Sequence, residues 1–588
     1  MCGIFAYCGK KSAAAEIVFA GLKSLEYRGY DSWGIAAIIS KTSLPYVQKA
    51  VGKIGSATIT IPQSHLALGH TRWATHGGVT KQNAHPHLDC SKKIVVVHNG
   101  IVENYGQLKA QLQKNDHVFT SETDTEIIAH LIEEFCQTKN FVDSVGETFK
   151  RLSGANAFVA LSQKNHTLVA IRNSSPLVIG FGNKEFFIAS DSAALLAYTK
   201  TVYFLKHNEL ISITPDKVAL FNVDGYKAVR LKSQTLNWNN TQTNKGAFAH
   251  FMLKEIYEQP EVIRKIVGGF GLDEVNKLAM AIKKMDHVYI LGCGTAYHAA
   301  VSSRELLSMI AAKEVTTCLA SEFAPRVKFL NKKSLVIALS QSGETMDTLI
   351  AINQAKAKGA TIASLVNVEG SSLTRESDIT VLIGAGPEKA VASTKAFTAK
   401  LAHVLLLAYA LNNDIASGKK LLRQAAYITQ EIVANPQPIK ELAQQLKQRD
   451  HLYVIGRGNS LPIALEIALK IKEISYIHAE GLAAGELKHG TLALITEGTP
   501  CLVLAPKDQT YEETINSALE MKARGGFIIG VSSKPHAVFD YFLNVADAKT
   551  ATIIGTVVAG QLLAYYLATA RNLDPDMPRN LAKSVTVK

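Results

Sequence analysis

The sequence is poor in cysteine and proline, and each scarcity excludes a class of protein. Its 588 residues include seven cysteines with no Cys-x-x-Cys pair, which argues against a disulfide framework and for a reducing compartment. Sixteen prolines and 40 glycines, with 47% hydrophobic residues, exclude a collagen-like or generally disordered chain. The start of the sequence also lacks a basic segment followed by a long apolar stretch, so we expect no secretory signal and a cytoplasmic protein.

Basic residues outnumber acidic ones, but they are not concentrated anywhere. The formal net charge is +13, and the basic residues cluster at most as pairs such as Lys92-Lys93 and Lys332-Lys333. Nucleic-acid-binding proteins usually cluster such residues, so we expect no nucleic-acid partner; the same sign of charge suits a small phosphorylated substrate. An uncharged stretch at 551–570 is long enough to cross a bilayer. Its threonine, glutamine and glycine residues favour a buried helix, and we expect no membrane partner.

The length allows about three to five domains, and the residue pattern changes along the chain. Short strand-like runs, with helical patterns at 14–25 and 125–135, predict that residues 1–232 form a layered domain with mostly antiparallel sheets. Residues 233–249 are rich in asparagine, threonine and glutamine and predict a linker.

Beyond the linker, a pattern of strand, glycine turn and long helix occurs twice. HVYILGCG at 287–294 and HLYVIGRG at 451–458 are each an apolar strand that ends in Gly-x-Gly and leads into a helix. This repetition predicts two doubly wound parallel-sheet α/β domains, at 250–435 and 436–575. Neither Gly-x-Gly has the full dinucleotide fingerprint, so an NAD site gains little support. Residues 576–588 form a polar tail.

The second residue is a cysteine followed by glycine, which allows catalysis by the chain's own N-terminus. Methionine before a small residue is commonly removed, and removal of Met1 would leave the thiol and α-amino group of Cys2 on one residue. An α-amine has a pKa of about 7.7 to 8.0, so it can accept the thiol's proton without a separate histidine. The alternative is an ordinary buried cysteine.

Several strings in the first domain favour the catalytic interpretation. They are CGIF at 2–5, LEYRGYDS at 25–32, GHTRWATHG at 69–77, NAHPH at 83–87, VHNG at 97–100 and TDTE at 123–126. Together they resemble class II glutamine amidotransferases, whose glutaminase domain is an αββα Ntn hydrolase. The resemblance implies this fold for the first domain.

The same resemblance implies a role for the polar residues of these strings. Asn99 and the backbone N–H of Gly100 would stabilise the anionic tetrahedral intermediate of glutamine hydrolysis. Arg72 would bind the α-carboxylate of glutamine and Asp124 its α-ammonium group. Trp73 would close over the substrate, although core packing is an alternative. The remaining predicted glutamine-binding residues are Thr75 and His76.

Local sequence leaves other interpretations open. Arg72 and Asp124 could form an ordinary surface ion pair. His85 and His87 suggest a metal, but no cysteine or carboxylate stands at ligand spacing, so we expect no metal site. Trp33 stands where the resembling family carries a small residue, and we expect it to touch no catalytic group.

In the first repeat, a predicted strand at 335–339 runs into SQSGET at 340–345. Hydroxyls and unpaired backbone N–H groups at a strand-to-helix turn can bind phosphate, and the alternative is a simple cap with Ser342 as N-cap. This string, CGT at 293–295 and the duplicated domain resemble sugar isomerase (SIS) domains. The resemblance implies a sugar phosphate bound by Thr295, Ser340, Gln341, Ser342, Thr345, Val391 and Ser393. Ala296 stands where relatives have serine, so we expect one hydroxyl contact to be lost.

Glu466, Lys470 and Glu473 in the second repeat are spaced to lie on one stripe of a helix. Spacing alone favours a solvated salt-bridge ladder. The second half of the chain, however, resembles the isomerase half of the glucosamine-6-phosphate synthase family. The strings that carry this resemblance include HFMLKEIYEQP at 250–260, VASTKAFT at 391–398, KEISYIHAE at 472–480, AGELKHG at 484–490 and PRNLAKSVTV at 578–587.

This second resemblance implies catalytic roles in sugar chemistry. Glu473 would be the proton-transfer base and Lys470 a supporting proton handler. His489 would open the sugar ring, supplied in relatives by a neighbouring subunit. Lys583 would form a Schiff base with the open sugar. Because Lys583 lies in the tail, we expect the tail to fold over the site rather than fray.

The two resemblances cover nearly the whole chain and together imply one function. Glutamine would be hydrolysed at Cys2, and the ammonia would pass through a dry passage to fructose-6-phosphate, which is aminated and isomerised to glucosamine-6-phosphate. We expect no cofactor, with L-glutamine and fructose-6-phosphate as substrates and a homodimer or larger homo-oligomer. The alternatives are a SIS-domain sugar-phosphate-binding regulator and another class II amidotransferase.

Overall fold

The computed structural model describes residues 2–40, 43–173, 175–236 and 245–585. The chain divides into two units, one of Met1–Gln242 with Ser584–Lys588 and one of Thr243–Lys583.

The first unit contains two antiparallel sheets and four helices in its described residues. Its strands are β1 (Gly3–Gly9), β2 (Ser32–Ile38), β3 (Tyr46–Val51), β4 (Leu66–Arg72), β5 (His87–Leu88), β6 (Ile94–Gly100), β7 (Asn156–Ser162), β8 (Thr167–Arg172), β9 (Val178–Phe181), β10 (Glu185–Ala189), β11 (Thr201–Phe204), β12 (Glu209–Ile213), β13 (Val218–Asn222), β14 (Lys227–Ala228) and β15 (Gln234–Thr235). Its helices are α1 (Ala14–Leu25), α2 (Tyr105–Lys114), α3 (Glu126–Phe135) and α4 (Phe141–Arg151). The strand orders are β15-β11-β9-β10-β1-β4-β2-β3 and β14-β13-β12-β8-β7-β6-β5.

Successive side chains of each strand point to opposite faces of the sheet, and this alternation gives the unit four layers. Ile4 and Ala6 of β1 pack with Val95 and Val97 of β6 in a core between the two sheets, whereas Phe5 points to the opposite face, against α1. Helices α2, α3 and α4 cover the outer face of the second sheet. This is the αββα arrangement that the resemblance implied, with the predicted antiparallel pairing.

The first unit extends past the predicted boundary at residue 232. Residues 234–235 form β15, which pairs Thr235 with Thr201 of β11 at the edge of the first sheet. The predicted linker 233–249 therefore begins inside a sheet, because extended polar residues can pair at an edge without contributing to a core. Residues 237–244 of that segment lie outside the described residues.

The second unit contains two parallel five-stranded sheets with helices on both faces. Its strands are β16 (His287–Gly292), β17 (Thr316–Leu319), β18 (Ser334–Ser340), β19 (Thr361–Val366), β20 (Ile379–Leu382), β21 (His451–Gly456), β22 (His478–Ala483), β23 (Pro500–Leu504), β24 (Phe527–Ser532) and β25 (Tyr541–Asn544). Its helices are α5 (Phe251–Tyr257), α6 (Gln259–Val267), α7 (Leu272–Lys284), α8 (Thr295–Ala311), α9 (Met346–Ala357), α10 (Ser372–Glu376), α11 (Lys395–Leu411), α12 (Ile415–Ala434), α13 (Gln437–Leu446), α14 (Leu461–Ser475), α15 (Tyr511–Lys522) and α16 (Thr552–Ala570).

The two sheets repeat one topology. Their orders, β17-β16-β18-β19-β20 and β22-β21-β23-β24-β25, both read 2-1-3-4-5, and the strands of each sheet are parallel. This confirms the predicted pair of doubly wound domains. In such sheets, ligands bind where the strand order reverses, outside the carboxyl ends of the first and third strands.

The uncharged stretch near the C-terminus is a core helix of the second unit. The segment Lys549–Ala570 is long and apolar enough to span a membrane, but 94% of its most apolar window is buried inside the protein. Helix α16 packs against α12, α13 and α14. The predicted buried helix is therefore confirmed.

The described part of the C-terminal tail folds back onto the second unit. Asp576 accepts hydrogen bonds from the backbone N–H groups of Phe251 and Met252, each at 2.8 Å. Its own carbonyl oxygen accepts from the N–H of Val391 at 3.0 Å. These bonds hold the residues that precede Lys583, so the tail is ordered as the sequence analysis expected.

Candidate active sites

Cys2 lies immediately before β1, next to the end of the neighbouring strand β4. The register of these strands pairs Gly3 with Thr71, and a side chain at Gly3 would lie 2.6 Å from Thr71 Oγ1, so glycine permits the close approach. The Cys2 thiol accepts a hydrogen bond from the Trp73 N–H at 3.3 Å and lies 3.6 Å from the Trp73 carbonyl oxygen. Burial raises the pKa of the thiol, whereas the N-terminal charge and the Arg72 guanidinium lower it.

Arg72 and Asp124 are buried, with 3% and 4% of their surface exposed, so they do not form an ordinary surface ion pair. The Arg72 guanidinium donates to the carbonyl oxygens of residues 76–78 at 2.5 to 3.2 Å. Asp124 accepts from the Val102 N–H at 2.7 Å. Arg72 lowers and Asp124 raises the pKa of Cys2, so both charges lie within electrostatic range of the thiol.

Asn99, the penultimate residue of β6, is oriented by a histidine and a serine. His70 Nε2 lies 2.9 Å from the carbonyl oxygen of His98 and 3.1 Å from Asn99 Oδ1. A carbonyl oxygen only accepts, so Nε2 carries a proton and the amide oxygen of Asn99 faces it. Burial lowers the pKa of His70 to about 3, which keeps the ring neutral. Asn99 Nδ2 then donates one hydrogen to Ser190 Oγ at 2.8 Å.

Gly100, the last residue of β6, occupies a position that only glycine fits. Its φ is 147°, and an added Cβ would lie 2.1 Å from the Ala155 carbonyl oxygen. The backbone N–H that follows Asn99 is therefore fixed by the strand end.

The other predicted glutamine-binding residues follow β4 in a partly exposed segment. The half-buried Trp73 ring meets the Tyr30 ring edge-on at 5.7 Å. His76 contacts Tyr105 in the same manner at 5.3 Å, and Thr75 is exposed. Trp73 is thus not a core residue.

Trp33, the residue that departs from the resembling family, lies elsewhere in the first unit. It is 2% exposed and packs against the Phe19 ring at 5.5 Å, under α1. It contributes to the core of the first unit.

In the second unit, the SQSGET string forms the turn at the carboxyl end of β18. Ser340 Oγ accepts from the Gly343 N–H at 2.9 Å, and Ser342 Oγ accepts from the Glu344 N–H at 3.2 Å. Helix α9 begins at Met346, so Thr345 occupies the N-cap position. The alternative with Ser342 as N-cap is wrong, because Gly343 takes a left-handed backbone conformation with φ 69° and the helix begins only at Met346. Gln341 and Ser342 are half-buried at this edge of the sheet.

The first turn of α8 begins beside this loop, at the carboxyl end of β16, and it contacts α14. Thr295, the first residue of α8, donates to Glu466 Oε1 at 3.0 Å and accepts from Lys470 Nζ at 2.8 Å. His298, one turn later, lies 2.8 Å from Glu466 Oε2. Lys470 also contacts Glu473 at 2.5 Å.

This set is not a solvated ladder, because Glu466 and Lys470 are fully buried. Burial lowers the pKa of Lys470, but Glu466 and Glu473 raise it further, and the net shift is upward. Lys470 is therefore a buried ammonium at neutral pH. Its ion pairs hold Glu473 at the end of α14.

Lys583 of the tail reaches a second buried carboxylate. Its Nζ lies 2.6 Å from Glu388 Oε2, and both side chains are at most 4% exposed. Ser393 Oγ donates to the same oxygen at 2.9 Å. The other oxygen, Oε1, accepts from the Thr394 and Ala396 N–H groups at 2.9 and 3.1 Å. Burial opposes ionisation, yet Lys583 and these donors lower the pKa of Glu388 to about 2.

A further buried lysine links the two charged groups. Lys400 of α11 is 1% exposed; burial lowers its pKa to about 8, while Glu388 and Glu466 raise it and Lys583 and Lys470 lower it. Both clusters therefore lie within electrostatic range of one side chain. Val391, which precedes Ser393, is tied to the tail through its N–H.

His489 stands apart from these groups. It is exposed at the end of the 3-10 helix Ala484–His489. Among the described residues, its side chain makes no hydrogen bond to the clusters around Lys470 and Lys583.

Sequence reasoning missed several residues that organise these sites. They are His70 and Ser190 at Asn99, His298 at Glu466, Glu388 at Lys583, and Lys400 between the two charged clusters. The first four contact their partners across at least 29 residues of sequence, and Lys400 acts on both clusters through its charge, so no local spacing shows any of them. Sequence reasoning also missed a cluster of Cys90, His117, His130 and Glu133 in the first unit, whose ligand-type atoms lie within 4.8 Å of one another.

Comparison with protein families divides the chain in the same way. A glutamine amidotransferase domain model matches residues 70–197, and a SIS domain model matches residues 281–410 and 445–560. A solved C-terminal domain of glucosamine-fructose-6-phosphate aminotransferase from Francisella tularensis is similar, with 33% identity and a TM-score of 0.54. It covers 57% of this chain, and 99% of its own length is matched.

Curated relatives match over the whole length. Proteins named glutamine–fructose-6-phosphate aminotransferase (isomerizing) from Pyrococcus horikoshii and Thermococcus kodakarensis are 42% and 41% identical, each with 100% of both chains covered. The relative of that name from Aquifex aeolicus is 40% identical over the same share. The chain therefore belongs to the glutamine–fructose-6-phosphate aminotransferase (isomerizing) family.

Proposed function

We propose that this protein hydrolyses glutamine at Cys2 and uses the released ammonia to convert fructose-6-phosphate to glucosamine-6-phosphate. The observation that carries the proposal is full-length similarity to enzymes of that name, in a chain with a glutaminase-type cysteine and a buried lysine–carboxylate cluster. A sugar-phosphate sensor would need neither the reactive cysteine nor the buried Lys583. Another class II amidotransferase would not need two SIS domains.

The first reaction is amide hydrolysis. After removal of Met1, the α-amine of Cys2 takes the thiol proton, and the thiolate attacks the side-chain carbonyl carbon of glutamine. The second hydrogen of Asn99 Nδ2 and the Gly100 N–H stabilise the oxyanion. Collapse of the intermediate expels ammonia, and water then releases glutamate from the thioester.

Glutamine is recognised by the hydrogen-bond donors and charged groups near Cys2 that remain available to a substrate. The carbonyl oxygens of residues 76–78 occupy three of the five guanidinium hydrogens of Arg72. Two hydrogens remain for the α-carboxylate of glutamine. Asp124 provides the counter-charge for the α-ammonium group, and Trp73, Thr75 and His76 complete the site and close over it.

The second substrate binds in the second unit. The phosphate of fructose-6-phosphate lies against Ser340, Gln341, Ser342 and Thr345, where hydroxyls and the first N–H groups of α9 converge. The sugar carbons extend towards the end of β16 and the loop of Val391 and Ser393. At Ala296, backbone donors take over the contact that a serine would make.

Amination and isomerisation use the two charged clusters. His489 of a neighbouring copy opens the ring, and the Lys583 amine adds to the C2 carbonyl with loss of water, giving an imine. Ammonia displaces the lysine, and Glu473 moves a proton from C1 to C2 while Lys470 supports the charge.

The proposal also covers the domain bounds and the oligomeric state of the protein. We place the two SIS domains at 250–435 and 436–575 and a catalytic tail at 576–588, and we extend the first domain from the predicted limit at 232 through β15 at 234–235. We propose a cytoplasmic homodimer or larger homo-oligomer, because His489 must come from a second copy, and a dry passage that carries ammonia between the sites.

The test supplies glutamine and fructose-6-phosphate to the full chain and measures products. We expect glutamate and glucosamine-6-phosphate in equal amounts. Cys2→Ala should release no glutamate, whereas Cys8→Ala, which removes a thiol from the same strand, should keep the activity. Glutamate release by Cys2→Ala, or intact mass showing Met1 retained in fully active protein, would refute the mechanism.

A matched variant tests the second site. Lys583→Arg keeps a cation beside Glu388 but cannot form the imine. We expect it to release glutamate from glutamine and to make no amino sugar. Borohydride should trap a hexose phosphate on the wild-type chain and not on this variant.

A further inference from the structure

The Cys90, His117, His130 and Glu133 side chains converge from three separate elements of the first unit. Cys90 lies in the turn between β5 and β6, and His117 in the connection between α2 and α3. His130 and Glu133 lie one turn apart on α3. None of these residues takes part in the proposed function.

Five of the six distances among the four ligand-type atoms match the edges of a tetrahedron around a metal ion, and all six are within 4.8 Å. Cys90 Sγ lies 3.6 Å from His117 Nδ1 and 3.5 Å from His130 Nδ1, and the two Nδ1 atoms are 3.3 Å apart. Glu133 Oε2 lies 3.3 and 3.6 Å from the same two nitrogens. Bonds of about 2.0–2.1 Å to nitrogen or oxygen and about 2.3 Å to sulfur, at tetrahedral angles, separate nitrogen from nitrogen by about 3.4 Å and nitrogen from sulfur by about 3.6 Å.

The donor set selects the metal. The set combines one soft thiolate, two borderline imidazoles and one hard carboxylate, and the three sulfur and nitrogen donors suit zinc rather than calcium or magnesium. The thiolate and carboxylate carry two negative charges, which balance a divalent cation. We propose that these four side chains bind one Zn²⁺ ion.

The surroundings hold the ligands in place, as outer contacts do in zinc sites. Glu133 Oε1 accepts from the Ser91 N–H at 3.1 Å, and Oε2 accepts from the Cys90 N–H at 3.0 Å. On the far side of the His130 ring, Nε2 faces Glu126 Oε1 at 3.7 Å. This distance is longer than a hydrogen bond, but the negative charge of Glu126 favours a proton on Nε2, which leaves Nδ1 for the metal.

Four protein ligands make this a closed, structural site. The ion joins the turn before β6 to α3 and to the segment that precedes α3. β6 carries Asn99 and Gly100, and α3 begins two residues after Asp124. Zinc therefore cross-links the turn before β6, which carries the predicted oxyanion contacts, to α3, which begins just after the predicted ammonium contact.

The first experiment measures metal content. Full-length protein is produced with added zinc, dialysed against metal-free buffer and analysed by elemental mass spectrometry, in a Cys2→Ala background that removes the reactive thiol. We expect about one zinc per chain. Cys90→Ser should hold less than about a tenth of that amount, and Cys136→Ser, a cysteine just beyond α3, should hold the full amount.

The second experiment leaves all four ligands in place, so it does not depend on the folding of a ligand variant. Cobalt exchanged into the Cys2→Ala protein should give intense tetrahedral visible bands and a thiolate-to-cobalt absorption. Zinc content below about a tenth per chain after supplementation, or an octahedral cobalt spectrum without the thiolate band, overturns the proposal. So does a well-folded Cys90→Ser protein that keeps its zinc.

Discussion

The hydrogen-bond partners of Asn99 determine which way its amide oxygen and nitrogen face. His70 Nε2 contacts the carbonyl oxygen of His98, which can only accept, so the ring must donate to Asn99 Oδ1 as well. The amide nitrogen is thereby turned towards Ser190. A neutral histidine can hold this arrangement because burial lowers its pKa to about 3.

Asn99→Ala should impair catalysis rather than the binding of glutamine. Loss of an oxyanion donor lowers kcat for glutamine hydrolysis by about 10² to 10³-fold, with a small change in KM. Steady-state glutamate release measures both constants. Ser190→Ala, which removes the partner and keeps the amide, should lose less; equal kcat in Asn99→Ala and wild type would contradict the oxyanion role.

The buried histidines predict an acid-sensitive first unit. His70 has a folded-state pKa of about 3, and burial also lowers the pKa values of His85 and His87. The unfolded chain binds protons at about pH 6.5 while the folded chain does not, so stability falls as pH drops from about 6.5 towards 3. Each histidine contributes a slope of about 1.4 kcal/mol per pH unit.

Tryptophan fluorescence can measure this slope in one unit only. Of the three tryptophans, Trp33 and Trp73 lie in the first unit and Trp238 lies outside the described residues, and residues 245–585 contain none. Urea unfolding between pH 7 and 5 should give a free energy of unfolding that falls as the pH falls. His70→Gln should reduce this slope by about 1.4 kcal/mol per pH unit, the contribution of one histidine. A free energy independent of pH would show that these rings are protonated in the folded state.

At the scale of elements, the loop between β18 and α9 needs its glycine. Gly343 has a φ of 69°, and a Cβ there would lie 2.1 Å from Ser371 Oγ, at the start of α10. Gly359 has a similar φ of 78° but its nearest neighbour, Lys332 Cγ, would be 3.4 Å away. The two glycines therefore share backbone strain and differ in crowding.

Gly343→Ala should weaken phosphate binding, and Gly359→Ala should not. Both substitutions cost about 1 kcal/mol through the left-handed backbone, which thermal unfolding measures. Only the first moves the Ser342 and Thr345 hydroxyls, so we expect KM for fructose-6-phosphate to rise at least about tenfold in that variant. Similar KM values in the two variants would argue against a phosphate at this loop.

Elements were easier to predict from the sequence than the contacts between them. Helix α1 occupies the predicted residues, and both repeats of strand, glycine turn and helix were visible, because hydrophobic periodicity and glycine act locally. The edge strand β15 was missed, since two polar residues pair through their backbone alone. The ion pair of Lys583 with Glu388 spans 195 residues, and no local pattern records such a contact.

At the scale of the whole molecule, the chain combines two reactions that need different surroundings, one open to water and one shielded from it. Glutamine enters from water and glutamate returns to it, whereas ammonia that reached water would become ammonium and lose its nucleophilicity. The charged side chains of the proposed sugar site are shielded from water. They are Glu388, Glu466, Lys470 and Lys400, and all four are buried. The proposed function therefore requires that ammonia reach the sugar without mixing with the solvent.

Isotope competition tests that transfer in the intact protein. Glutamine labelled with ¹⁵N in its amide is supplied with fructose-6-phosphate and excess unlabelled ammonium, and the amino sugar product is analysed by mass spectrometry. A sealed passage predicts ¹⁵N in nearly all product, because ammonia released at Cys2 never equilibrates with the solvent. Trp73→Ala, which opens the glutamine pocket, should dilute the label while glutamate release continues, and Trp33→Phe, a change in the core, should not. Full dilution in the wild type would mean that the two sites exchange ammonia through bulk water.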